Sequence, residues 1–210
     1  MNEILQKIAK IRIVPVVAIE KAEDAKRLGE ALVKGGIPCA EVTFRTDAAL
    51  ETIRIMTEEF PDMLVGAGTV LKTEQADRAV AAGAKFCISP GFNPRVVKHC
   101  IDNGITMVPG CSSPTDIEAA LEFDLEVVKI FPAEAIGGLP LIKAMSAPYS
   151  NMKFMPTGGI NAGNIGKYLE FKKIIACGGS WMVDKKLINE GRFDEIEKLC
   201  REAVEAIKDI

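Results

Sequence analysis

Short apolar, β-branched runs alternate with helix-period segments eight times along this chain. The runs lie near 13–18, 39–44, 63–68, 85–89, 105–109, 126–131, 152–157 and 173–178. Their spacing of roughly 20–30 residues is the scale of a βα unit. Between them, 21–34 carries Ala22, Ala25, Leu28, Leu32 and Val33 on one face. Segment 47–59 carries Leu50, Ile53, Ile55 and Met56, and 114–123 turns Ile117, Ala120 and Leu121 inward. Ser113-Pro114 supplies a cap and first-turn signal for the latter. A last helix over 192–208 presents Phe193, Ile196, Cys200, Ala203 and Ile207 at three- and four-residue steps. A further helix at 2–11, with Ile4, Leu5, Ile8 and Ile11, precedes the first strand. Gly35-Gly36, Gly83 and Gly104 stand where helices stop, since glycine takes the left-handed conformation freely.

No long linker, low-complexity tract or composition break interrupts the pattern, so residues 1–210 are expected to form one domain. Eight βα units in one domain predict a (β/α)8 barrel of the TIM type with an extra N-terminal helix. An open doubly wound sheet is the alternative. It is weakened for dinucleotide binding because no G-x-G-x-x-G follows the first strand.

Composition excludes several partners. A net charge of −3 argues against a broad nucleic-acid-binding face. No segment approaches ~18 uninterrupted apolar residues, so no membrane span is expected. The run 13–19 imitates a signal peptide but contains Pro15 and meets Glu20 without a small-residue cleavage site. The six cysteines include no C-x-x-C pair and fit a reduced, cytoplasmic protein. The single histidine, His99, is expected to be an ordinary helical residue, and one histidine argues against a multi-His metal centre. No metal site is expected; a carboxylate-bound magnesium is the alternative left open, with no motif behind it.

One residue breaks the apolar pattern. Lys129 lies in Val127-Val128-Lys129-Ile130-Phe131-Pro132. A lysine buried there must find a partner or lose its proton, and burial lowers lysine pKa values by up to ~3–5 units. A neutral amine attacks carbonyl carbon and forms a Schiff base. The alternative is a strand-end lysine whose ammonium reaches water. The second strand places Glu41, Thr43 and Arg45 on one face and apolar Val42 and Phe44 on the other. Packing the apolar pair under the helices sends Glu41 and Arg45 toward the barrel axis. A structural Glu–Arg pair is the competing reading. With the face carrying Val127, Lys129 and Phe131 also inward, Lys129 and Glu41 share one cavity. An amine nucleophile beside a carboxylate then has a proton shuttle at hand.

The strand ends add binding groups. Gly66-Ala67-Gly68-Thr69 allows close ligand approach and offers a hydroxyl, although a plain tight turn explains it nearly as well. Ser89-Pro90-Gly91 ends the fourth strand. Thr157-Gly158-Gly159 and Gly178-Gly179-Ser180 end the last two, where barrels often bind phosphate with amides from a short extra helix. Trp181-Met182-Val183 is the expected helix. Two helix-entry turns using glycine are the bland alternative.

Taken together, these segments resemble the class I aldolases that cleave 2-keto-3-deoxy-6-phosphogluconate (KDPG) and 4-hydroxy-2-oxoglutarate (KHG). The matching stretches are Glu41-Val-Thr-Phe-Arg45-Thr, Val65-Gly-Ala-Gly-Thr69-Val, Ile88-Ser-Pro90-Gly, Val108-Pro-Gly, Lys129-Ile-Phe131-Pro-Ala-Glu134, Pro156-Thr-Gly-Gly159 and Gly178-Gly-Ser180-Trp, in family order. The resemblance implies a homotrimer without metal or organic cofactor. It implies that Lys129 forms the Schiff base with C2 of a keto acid and that Glu41 is the general acid/base. It implies that Arg45 and Thr69 hold the pyruvyl carboxylate, with Pro90 and Phe131 lining that half. Gly158, Gly159 and Ser180 are implied to bind the distal phosphate. Some relatives have an arginine near the end of the first strand, where this chain has Ala18. The expected activity is reversible cleavage of KDPG to pyruvate and glyceraldehyde 3-phosphate. Rival readings are an aldolase mainly for KHG or the galactonate epimer, a phosphosugar isomerase, and a non-catalytic phosphate-binding barrel.

Overall fold

The computed structural model describes all 210 residues. In chain order it contains α1 (Glu3–Ile11), β1 (Ile13–Val17), α2 (Ala25–Lys34), β2 (Cys39–Thr43), α3 (Ala49–Glu59), β3 (Leu64–Gly68) and α4 (Thr73–Ala81). β4 (Phe86–Ile88), α5 (Pro94–Asp102), β5 (Thr106–Val108), β6 (Gly110–Cys111), α6 (Pro114–Leu121) and β7 (Val127–Ile130) follow. The chain ends with α7 (Gly138–Ser146), β8 (Lys153–Pro156), α8 (Ile165–Leu169), β9 (Cys177–Gly179), α9 (Lys185–Asn189) and α10 (Phe193–Glu205).

The fold is α/β, built on curled parallel sheet. Six strands run in the order β5-β4-β3-β2-β1-β9, and three in the order β6-β7-β8. Every pairing is parallel, with Val16 opposite Glu41, Thr43 opposite Gly68, and Lys129 between Gly110 and Met155. Only Pro109 separates β5 from β6; proline has no N–H to give a ladder. Isolated bridges join Phe154 to Ile174 and Thr157 to Gly178.

Strands one to seven of the sequence reading fall within a residue or two of those observed, the fifth being split at Pro109. The eighth, expected at 173–178, is displaced to Cys177–Gly179. The stretch first touches β8 through the bridge at Ile174, the Phe154 N–H reaching the Lys173 carbonyl at 2.8 Å, and regular pairing begins only at Cys177; the Lys173 ammonium meanwhile donates to the carbonyls of Ser146 (2.6 Å) and Tyr149 (2.9 Å). Val33 and Leu121, expected inward, are each 42% exposed. Each directly follows or precedes a buried helical position and sits about 100° around the helix from it. The stop signals hold at Gly36, Gly83 and Gly104, whose φ values are +85°, +101° and +69°.

Local chemistry sets the helix ends. Asn2 accepts from the Leu5 N–H at 2.9 Å, and its amide donates to Thr106 Oγ1 at 2.9 Å. That bond fixes α1 beneath the N-terminal ends of the strands, away from their C-terminal mouth. Ser113 and Asp116 close a reciprocal capping box on α6. Every residue of β1 to β7 is buried, as expected for parallel strands covered on both faces. Against that background the buried Glu41, Thr43 and Lys129 stand out. No helix is long and apolar enough to cross a membrane.

Candidate active site

Lys129 and Glu41 meet. The Lys129 ammonium lies 3.1 Å from Glu41 Oε1 and 3.4 Å from Oε2, with 5% and 1% of the two residues exposed. One residue comes from β2 of the six-stranded sheet and the other from β7 of the three-stranded sheet. The pair therefore spans the space that the two sheets enclose. Of the two fates open to a buried lysine, the structure shows the partner.

Room for the carboxylate comes from Gly68. A Cβ there would stand 2.3 Å from Glu41 Oε1. The Phe131 ring lies 5.4 Å from the Lys129 nitrogen, within cation–π range. Cys39, two residues before Glu41, is no competing nucleophile. Burial, then the Glu41 charge, pushes its thiol far above the usual range and keeps it protonated.

Glu41, Thr43 and Arg45 are spaced by two, so they share one face of the strand and its extension. Arg45 follows that geometry: its Nε donates to Thr43 Oγ1 at 3.0 Å. The guanidinium thus lies on the face that carries Glu41. It makes no ion pair, so the Glu–Arg pair that competed in the sequence reading is absent, Glu41 being committed to Lys129.

The remaining residues sit at C-terminal strand ends. Thr69, directly after β3, has φ +56°, a left-handed conformation rare for a β-branched side chain and typical of functional strain. Pro90 follows β4, where Ser89 Oγ donates to the Gly91 carbonyl at 2.7 Å and fixes the turn. Gly158 and Gly159 follow β8 with φ +99° and +81°. Ser180 follows β9 and enters a 3-10 turn over Trp181–Val183, the short extra helix that was expected. Direct contact links Lys129 to Glu41 and Phe131. The other predicted residues are brought to the C-terminal ends of neighbouring strands and make no hydrogen bond to that pair.

Three features escaped the sequence reading. The carbonyls of the 157–159 loop are all turned to protein donors. Ala133 N–H reaches Thr157 (2.8 Å), Glu134 N–H reaches Gly158 (3.0 Å), and the Asn161 and Asn164 amides reach Gly159 (3.2 and 3.0 Å). The N–H groups of Gly159 and Ile160 have no protein acceptor. Beneath this loop Tyr168 donates to Glu134. Burial, then that contact, holds the tyrosine hydroxyl well above its usual range and therefore protonated. Finally, Thr157 Oγ1 is buried without a partner beside Gly178. Long-range partners of this kind leave no periodic trace in sequence.

A family model described as KDPG and KHG aldolase matches residues 4–199. The chain belongs to this family. A 2-dehydro-3-deoxy-phosphogluconate aldolase of Treponema pallidum is 47% identical over 207 residues, covering 99% of both chains. The KHG/KDPG aldolase of Escherichia coli is 41% identical over 196 residues, covering 93% of this chain and 92% of that one. Among solved structures, a KDPG aldolase from Legionella pneumophila superposes with a TM-score of 0.92 at 38% identity. The match covers 96% of this chain and 98% of that one, whose pyruvate was captured as a covalent carbinolamine intermediate.

Proposed function

We propose that this protein is a class I aldolase that reversibly cleaves 2-dehydro-3-deoxy-6-phosphogluconate to pyruvate and D-glyceraldehyde 3-phosphate. The observation that carries the reading is the buried Lys129–Glu41 pair at 3.1 Å. Glu41 takes a proton from the ammonium, and the free amine adds to the C2 ketone. Glu41 returns that proton to the carbinolamine hydroxyl, which leaves as water, and the protonated imine so formed is an electron sink. Glu41 then removes the C4 hydroxyl proton. The C3–C4 bond breaks, its electron pair forms the enamine of pyruvate, and the aldehyde departs. Protonation at C3 and hydrolysis of the imine release pyruvate and restore Lys129.

The remaining residues divide by substrate end. Arg45 and Thr69 hold the carboxylate, with Pro90 and Phe131 against the pyruvyl carbons. Gly158 and Gly159, with Ser180, hold the phosphate; the support is the Gly159 N–H left without a protein acceptor beside carbonyls that are all taken by protein donors. The orphan Thr157 hydroxyl is available to a substrate hydroxyl. The E. coli relative's double name supports 4-hydroxy-2-oxoglutarate, cleaved to pyruvate and glyoxylate, as a second substrate.

The architecture belongs to the same reading: one (β/α)8 barrel over residues 1–210, with α1 as the added helix. Its support is the continuity of β5 with β6 across Pro109 and the bridges from the β8 segment to the β9 segment. A homotrimer is the expected assembly; Leu71, Val80 and Ile101 are exposed apolar side chains that a neighbouring copy would cover. Six buried free thiols support a reducing compartment such as the cytoplasm.

Borohydride reduction with pyruvate, followed by peptide mass analysis, tests the mechanism. A pyruvate-derived adduct on Lys129 is expected, and none on that peptide would sink the Schiff-base reading. Comparison of kcat/KM for phosphorylated and unphosphorylated keto acids then ranks the substrates, with the phosphorylated one expected ahead.

A further inference from the structure

Thr43 ends β2 with 2% of its surface exposed, an unusual place for a hydroxyl among buried strands. Its single proton is committed: Oγ1 donates to the Val17 carbonyl at 2.7 Å. A hydroxyl carries one donor and two acceptor sites, so with the proton fixed its lone pairs are aimed. Arg45 Nε donates onto one of them at 3.0 Å. The result is a relay from the end of β1, through Thr43, to a guanidinium on the Glu41 side of β2.

The relay selects one edge of the guanidinium. Arginine meets a carboxylate in bidentate fashion through parallel N–H groups. Two such edges exist, one using Nε with a terminal nitrogen and one using both terminal nitrogens. Thr43 occupies Nε and closes the first edge. The terminal nitrogens have no protein acceptor, and Arg45 has no acidic partner. We infer that Thr43 is a positioning residue of the carboxylate clamp, holding Arg45 by Nε so that the Nη1/Nη2 edge receives the substrate carboxylate. This rests on the role proposed above for Arg45. The hydroxyl is needed for direction rather than bulk, because valine has the same shape and cannot accept the bond.

Thr43→Val, Thr43→Ser and Arg45→Ala, with Thr43→Val in the Arg45→Ala background, test the inference. Thr43→Val is expected to raise KM roughly tenfold, as loss of a hydrogen bond to a charged group should. The factor should be the same for phosphorylated and unphosphorylated keto acids, with kcat within about threefold. The pyruvate concentration that half-saturates borohydride trapping on Lys129 should rise by that factor too. Thr43→Ser should restore both values, and Thr43→Val should add nothing once Arg45 is alanine. A merely structural role would add its effect in both backgrounds and lower melting temperature without this KM pattern. A folded Thr43→Val with unchanged KM, or full effects in the Arg45→Ala background, would overturn the inference. Thr43→Ala carries the same arms if the valine variant does not fold. The underlying reading fails separately: Arg45→Ala with unchanged KM removes the arginine from the clamp whatever Thr43 does.

Discussion

Taking two charges out of water costs several kcal/mol per ion, and their attraction repays this only with good geometry. The Lys129–Glu41 pair is therefore a poor stabilising device and is better explained by what the two groups do to a ketone. This makes an unequal prediction for its two halves. Lys129→Met leaves the Glu41 carboxylate buried and unpaired, and is expected to cost ~3–5 kcal/mol as well as all trapping. Adding Glu41→Gln to that variant should recover much of the stability while activity stays absent. Urea unfolding of both variants checks this; a double variant less stable than Lys129→Met would show that the pair is mainly structural. At this scale the sequence was informative wherever alternation alone decides a face. Lys129 and Glu41 were placed together by counting in twos. Thr43 lay on the correct face by the same count, but its acceptor is the Val17 carbonyl, 26 residues earlier, and alternation says nothing about that.

Loops and helices carry the next level of organisation. The turn after β8 needs glycine twice, since Gly158 and Gly159 have left-handed φ and a Cβ at 159 would meet the Glu134 Cβ at 2.5 Å. Glycine permits that backbone without choosing it. The choice is made by Asn161 and Asn164, which hold the Gly159 carbonyl outward. Asn164→Ala removes one of those bonds and the acceptor for the Asn161 N–H. It is expected to raise KM for the phosphorylated keto acid about three- to tenfold and to leave the unphosphorylated one unchanged. Equal losses on both would detach this brace from phosphate binding. The glycine pairs were legible in sequence; the asparagines were not, because they act only once the turn exists. His99 illustrates a helix-level contact with no catalytic part. Its Nε2 lies 2.6 Å from Asp77 Oδ1, joining α5 to α4, and this hydrogen bond raises its pKa above the ordinary value. A raised histidine pKa stabilises the fold fully below the unfolded value of ~6.5 and loses that contribution as pH rises through the folded value. Asp77→Asn should therefore lower the urea midpoint more at pH 5.5 than at pH 9, and an equal decrease at both would contradict the charged pair.

Across the whole molecule, the two ends of the chain meet at one seam. β1 pairs with β2 on one side and β9 on the other, so the first strand is held by residues more than 160 positions away. The alternating pattern predicted eight strands, and parallel pairing of neighbours followed from helical crossovers. It began the last strand too early: after the bridge at Ile174 the chain leaves the ladder and rejoins it only at Cys177, an interruption that hydropathy does not record. α10 packs against α2 and the 3-10 turn that follows β9, and its Phe193, Ile196, Cys200 and Ala203 are buried, with Ile207 just beyond. Arg12, at the end of α1, donates to the carbonyls of Ile207 (3.4 Å) and Ile210 (2.8 Å), fixing the terminus against the start of β1. Burial of the three large side chains alone is worth about 5–9 kcal/mol at ~1.5–3 kcal/mol each. That approaches the net stability of a whole domain, ~5–15 kcal/mol. A chain ending at residue 192 is thus expected to lose cooperative unfolding and borohydride trapping together, although every residue proposed for the site remains. Circular dichroism melts of the shortened and full chains decide this. A shortened chain that melts cooperatively within a few degrees of the full one would mean that β1 and β9 hold the seam without α10.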